Sequence, residues 1–198
     1  PCGEWPQQAG RAVGGCSTEE WNRIAMELLR LGPLAPIRLG DVARIGKRPI
    51  LSGMLDVARP GQPAEVPPEE RILRLVMNLI PGNEVQRVIL GEHHILPPHG
   101  QWMVIVLRTG EVFMWAAEDL KCCFYVYRLP PAWRKFMTFS KPVPSELLGG
   151  GKGTFTYLAS TVIPMGWVSG IGTVQHIHRR HLLAPPPGAL PFNRTEEI

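Results

Sequence analysis

Trp21, Ile24, Ala25, Leu28 and Leu29 recur at the spacing of one helical face, so TEEWNRIAMELLRLG predicts an amphipathic helix. Its ends are marked as well. Ser17 or Thr18 can cap the first turn, Glu19 and Glu20 suit the positive end of the helix dipole, and Gly32-Pro33 stops it. Residues 1–16 show no period and carry four glycines, which predicts a loose lead-in. Between Ile37 and Met54 short apolar pieces alternate with turn residues, and ARPGQPAEVPPEE predicts an exposed loop. ILRLVMNLI is dense enough for a strand and ends at Pro81-Gly82, so a strand feeding a turn is expected. WMVIVLR and EVFMWAA predict a strand pair joined through Thr109-Gly110. KFMTFS and TFTYLASTVI predict strands flanking the glycine-rich LLGGGKG, and Ser169 to Leu183 predicts a helix halted by Pro185-Pro186-Pro187. The sum is an α+β fold without a tandem repeat.

Composition narrows this only modestly. A chain of 198 residues that is 44% hydrophobic can bury a core, and its formal charge of +4 permits contact with phosphate without demanding it. Four cysteines, two of them the vicinal Cys122-Cys123, make neither a disulfide ladder nor a CxxC metal site. Free thiols, a reducing compartment and an intracellular location are the expectation. No apolar run approaches the roughly 20 residues that span a bilayer, and no signal peptide opens the chain, so no membrane partner is expected.

The chemistry concentrates in two stretches. In EDLKCCFYVYRLPPAW an acid, Asp119, follows the apolar run from Val112 to Ala117 and precedes a compact aromatic turn, which puts its carboxylate at a strand end. In TVIPMGWVSGIGTVQHIHRR a Pro-x-Gly turn, Pro164 to Gly166, closes a β-branched strand and opens a small-residue helix carrying Gln175. Upstream, RLVMNLIPGN places Arg74, Asn78 and Asn83 at intervals of four and nine residues from the arginine.

In that order and spacing, from about Ile45 to His181, the chain resembles the reverse transcriptases of retroelements. RLVMNLIPGN looks like their fingers motif, EDLKCCFY like the first palm motif and IPMGW like the second. The resemblance divides the chain into a lead-in and helix over 1–36, a fingers-like region over 37–105 and a partial palm over 106–198. It implies an RNA-directed DNA polymerase that takes deoxynucleoside triphosphates and an RNA or DNA template-primer, with two Mg²⁺ ions in the complete site. Such in-line phosphoryl transfer depends mostly on positioning and on charge neutralisation by two cations about 4 Å apart.

Residue by residue, the resemblance makes Asp119 the catalytic acid and, with the carbonyl of Leu120, a metal ligand. The backbone N–H groups of Cys122 and Cys123 face the incoming triphosphate, and Phe124 takes the place of the aromatic that blocks a ribose 2′-hydroxyl. Arg74 lies over the nucleotide, where a guanidinium offers a flat face and a phosphate-matching fork. Met165, Gly166 and Gln175 line the nucleotide and template side, with Met165 standing where retroviral relatives carry a polar residue. The third palm motif, an aromatic followed by x-Asp-Asp, is missing, for no Asp follows Asp119. The expectation is therefore a fragment with an incomplete palm that does not polymerise by itself. The alternative is a degenerate palm that binds nucleic acid or protein without catalysis.

Other patterns give weaker chemistry. The triple glycine before Lys152 lacks the Gly and Ser/Thr of a phosphate loop, since Glu146 and Gly153 stand at those positions. His93, His94 and His99 have no supporting cysteine or acid pattern for zinc. His178 and His181, beside Arg179 and Arg180, make either a basic face or a solvated helix end. Phe124, Tyr125 and Tyr127 also suit plain core packing.

Overall fold

The computed structural model describes residues 17–58, 61, 63, 65–67, 70, 73–89, 105–114 and 122–184. Helix α1 (Thr18–Leu31) begins at Ser17, whose hydroxyl accepts from the Glu20 N–H while the Glu20 carboxylate accepts from the Ser17 N–H. This reciprocal pair satisfies two amide donors that the first turn leaves without helical partners. At the other end Gly32 takes φ +93° and donates to the carbonyls of Leu28 and Leu29, as the left-handed cap requires. Trp21 and Ala25 are buried, with the Trp21 ring 5.7 Å from that of Phe139.

Pro33 turns the chain into β1 (Leu34–Ile37). A short hairpin follows, β2 (Arg44–Ile45) with β3 (Arg48–Pro49), then a longer one, β4 (Gly53–Ala58) with β5 (Leu73–Asn78), in register from Gly53↔Asn78 to Ala58↔Leu73. β5 passes through Leu79 into the single turn α2 (Ile80–Asn83). After α3 (Cys123–Val126) come a 3-10 helix over Pro131–Phe136, strand β6 (Val143–Pro144), strand β7 (Phe155–Ser160) and α4 (Gly170–Leu183). The strands form an antiparallel sheet in the order β1-β7-β6 and two separate hairpins. Trp21, Leu34, Met77, Leu79, Met137, Leu158, Ile163 and Trp167 belong to one buried cluster, so α1, β5, β7 and the start of α4 share a core.

The expected mixed α and β character is present, and the helix limits at both ends of α1 and the start of α4 fall where the sequence puts them. Two strand expectations change. KFMTFS is not a strand, because Pro130-Pro131 opens a 3-10 helix that runs through Phe136. Only the next few residues join the sheet, through Phe139 N–H to Leu158 C=O at 2.8 Å and Ser160 N–H to Met137 C=O at 2.9 Å. Residues 105–114 do turn at Thr109-Gly110, where Gly110 has φ +89° and Glu111 N–H donates to Arg108 C=O at 3.0 Å. They carry no strand ladder, and all of them are exposed, Met114 by 88%. Val106, Val112 and Met114 are more than 80% exposed and Ile105, Leu107 and Phe113 more than 40%, burial too slight to order a ladder here; residues 102–104 and 115–117 of the expected pair lie outside the described residues.

Arg128 ties the sheet to the end of α1. Its Nη1 donates to Gly32 C=O at 2.6 Å and to Thr161 Oγ1 at 2.9 Å. A guanidinium at this point lies beside the negative end of the helix dipole. Among the described residues no helix is long and apolar enough to cross a membrane.

Candidate functional site

The site grows from β5. Asn78 Oδ1 accepts from Ile80 N–H at 3.2 Å, an Asx turn that swings the chain out of the strand and into α2. That turn aims Asn83 across the molecule. Asn83 Nδ2 donates to Gly166 C=O at 2.9 Å, and Asn83 Oδ1 accepts from Val168 N–H at 3.1 Å, so one side chain clamps both sides of the Pro-x-Gly turn. The contacts continue on either side. Met77 N–H donates to Met165 C=O at 2.9 Å, Trp167 Nε1 donates to Gln86 Oε1 at 2.7 Å, and Ile89 N–H donates to Ser169 Oγ at 2.9 Å. Every residue from 165 to 169 is thus bonded to the segment 77–89.

Gly166 is required by this closeness. Its φ is +109°, and a Cβ there would come 2.2 Å from the Met77 carbonyl oxygen. Behind the turn, Trp167 is buried with its ring 5.5 Å from and nearly perpendicular to that of Trp133.

The aromatic turn of α3 reaches the same strand from another side. Tyr125 Oη donates to Leu75 C=O at 2.9 Å, and burial, with the nearby Cys122 adding to it, pushes the phenol above its ordinary pKa. Leu75, Met77, Tyr125, Phe139, Pro164 and Met165 surround a cavity of about 20 Å³. The Phe124 ring is half-buried and lies 3.5 Å from where a Cβ on Gly170 would stand, against the first turn of α4. Cys122 itself takes φ 57° and ψ 35°, left-handed for a residue with a side chain, and the helical residues of α3 follow. Left-handed next to right-handed backbone turns successive N–H groups toward one point, a concavity suited to an anion.

The predicted site residues are therefore distributed as follows. Cys123 and Phe124 pack against the buried core, while Cys122 is exposed. Met165 and Gly166 sit on β5. Gln175 is half-buried on α4, about a turn and a half into the helix that the Pro-x-Gly turn opens. Arg74 is exposed on β5 opposite Val57. Strand alternation sends it to the face away from Leu75 and Met77, so it does not share their cavity. Asp119 and Leu120, and with them the expected metal ligands, lie outside the described residues, as do His93, His94 and His99. Among the described residues no three His, Cys, Asp or Glu side chains are grouped as a metal site would need.

No protein-family model and no curated protein matches this chain. Its reading rests on its own residues. Of these, Gln86 and Ser169 are contributors that sequence patterns did not single out. Gln86 lies in a polar stretch without periodicity, and Ser169 reads as the first residue of a helix, yet its hydroxyl serves Ile89 and makes no cap bond in α4. Asn83 was visible as a motif position, but nothing in its neighbours gave away a partner more than eighty residues downstream.

Proposed function

We propose that this chain is the fingers region and first part of the palm of an RNA-directed DNA polymerase of the retroelement type. One observation carries the proposal. The asparagine that ends the fingers-like motif clamps the turn of the palm-like IPMGW motif, while the aromatic turn after Asp119 bonds to the same strand. Three sequence segments chosen for a shared chemistry thus meet around β5, which chance placement does not favour.

In this reading the left-handed turn at Cys122 presents backbone N–H groups to a triphosphate, and Phe124 stands where the sugar of a deoxynucleotide is checked. Met165, Gly166 and Gln175 floor the base pair, and Arg74 approaches the phosphates from the outer face of β5. Asp119 supplies one carboxylate for the pair of Mg²⁺ ions that the resemblance implies. The sequence offers no Asp after it, so the chain by itself is expected to bind a nucleotide and not to extend a primer.

The test is calorimetric titration of the chain with a deoxynucleoside triphosphate in the presence of Mg²⁺. Binding that weakens about tenfold or more in Asp119→Asn supports the reading; absent binding, or binding indifferent to Asp119, overturns it. In a protein that adds the aromatic-x-Asp-Asp hairpin, Asp119→Ala should abolish primer extension. The second reading, a palm that binds nucleic acid or protein without catalysis, is favoured by the same lack of a later Asp. It requires that template-primer bind equally well to the wild type and to Asp119→Asn, with no triphosphate binding in either.

A further inference from the structure

The acids and bases of this chain are unevenly spread. Between residues 28 and 55 the only acid is Asp41, against Arg30, Arg38, Arg44, Lys47 and Arg48. Four of those five bases fall in or beside the hairpin β2–β3, and all four are exposed. The hairpin is a shaped element with a fixed tip. Gly46, at φ +57°, makes the tight reversal, and the Arg44 guanidinium crosses the ribbon to donate to Lys47 C=O at 3.0 Å and Leu39 C=O at 3.4 Å. Its root is fixed as well. Ala43 N–H donates to the carbonyl of Lys135 at 3.0 Å, Ile50 N–H donates to Ala43 C=O at 2.8 Å, and Ile50 is buried. Lys135 therefore joins the patch at the base of the hairpin, with its ammonium 5.2 Å from the Phe136 ring centroid.

We propose that the β2–β3 hairpin is a contact for the phosphodiester backbone of a nucleic acid, separate from the nucleotide site. Lys47 supplies a mobile point charge at the tip, Arg48 a fork on the adjoining strand, and Arg38 and Lys135 extend the positive surface toward the root. Such contacts hold a duplex in place without reading its sequence. The chemistry of anionic lipid headgroups is similar, but the only large apolar residues exposed in this region are Leu39 and Ile45, at 39% and 37%. A membrane-surface element needs a broader apolar face to insert. The inference stands on charge and geometry and is independent of the palm reading.

The experiment is fluorescence anisotropy of a labelled RNA–DNA hybrid titrated with the whole chain across a range of salt concentrations. The double variant Lys47→Gln/Arg48→Gln should bind about tenfold more weakly at low salt, and the slope of log affinity against log salt should flatten by roughly 2, one unit per lost phosphate contact. The charge-matched control Arg23→Gln/Lys152→Gln, on exposed positions of α1 and of the β6–β7 connection, should match the wild type. The charge-preserving Lys47→Arg/Arg48→Lys should keep affinity, which separates loss of charge from loss of fold. Equal losses in the hairpin and control pairs, or no loss in either, overturn the proposal. So does binding to phosphatidylserine vesicles in place of the hybrid. Triphosphate titration of the hairpin variant stays as in the wild type, so failure of the palm reading and failure of this one are told apart.

Discussion

At position 166 the backbone is held at φ +109° with the Met77 carbonyl where a side chain would begin. Gly166→Ala meets both strain and a clash with main chain that has no rotamer to escape into, and should cost on the order of 3 kcal/mol. A drop in the urea midpoint with an unchanged slope would register it. Asn83→Ala leaves the Gly166 carbonyl and the Val168 N–H without their side-chain partner, a cost of about 1–3 kcal/mol reduced by the partial exposure of the turn. Asn83→Asp keeps the acceptor for Val168 but sets a carboxylate oxygen against the Gly166 carbonyl, so its denaturation midpoint should also fall below that of the wild type. Tyr125 adds a pH dependence. Burial raises its folded-state pKa above the unfolded value of about 10, so the neutral phenol and its bond to Leu75 stabilise the fold fully below that pH. The contribution is lost as pH rises through the higher folded value. Tyr125→Phe should therefore flatten the alkaline limb of a stability-against-pH curve, and an unaltered limb would show that another group sets it.

Among the elements, α1 was the most legible in the sequence because its determinants are local. Ser17, Glu20 and Gly32 lie at its ends, and the apolar period between them fixes which face is buried. Ser17→Ala should cost about 1 kcal/mol by thermal or chemical denaturation. The Glu20 part of the cap, which Ser17→Ala largely keeps, should weaken in acid. Glu20 is held below the ordinary carboxylate range, first by the Ser17 backbone N–H and then by its hydroxyl, so its contribution is present above the unfolded pKa and disappears as pH falls through the depressed folded one. β5 and α4 were legible for similar reasons, from apolar density ended by Pro-Gly and from a small-residue run ended by prolines. The segment after Pro130 was not, since residues 137–140 take their extended form from β7 and from Ser52 and not from their own pattern. The ribbon at 105–114 misled in the opposite way. Its β-branched and aromatic residues have strand propensity, but propensity expresses itself only where a face is covered. The candidate site was half legible: the motif residues were visible one by one, and the side-chain bonds joining them, each spanning fifty residues or more, were not.

For the whole molecule, the formal charge is +4, and the exposed bases Arg38, Arg44, Lys47 and Arg48 lie in or beside the β2–β3 hairpin, whereas the three acids of α1 are offset by Arg23 and Arg30. With a net positive chain and such a patch, the association rate with nucleic acid should fall as salt is added, a dependence that stopped-flow anisotropy would read. The run of bonds from Met77 to Ile89 against Met165 to Ser169 has a consequence of its own for motion. The Met77 amide and the Val168 amide both bond across the same pair of segments. Their deuterium uptake should accordingly rise together when Gly166→Ala forces the two segments apart. Two separate protection levels at those amides would mean that strand and turn breathe apart.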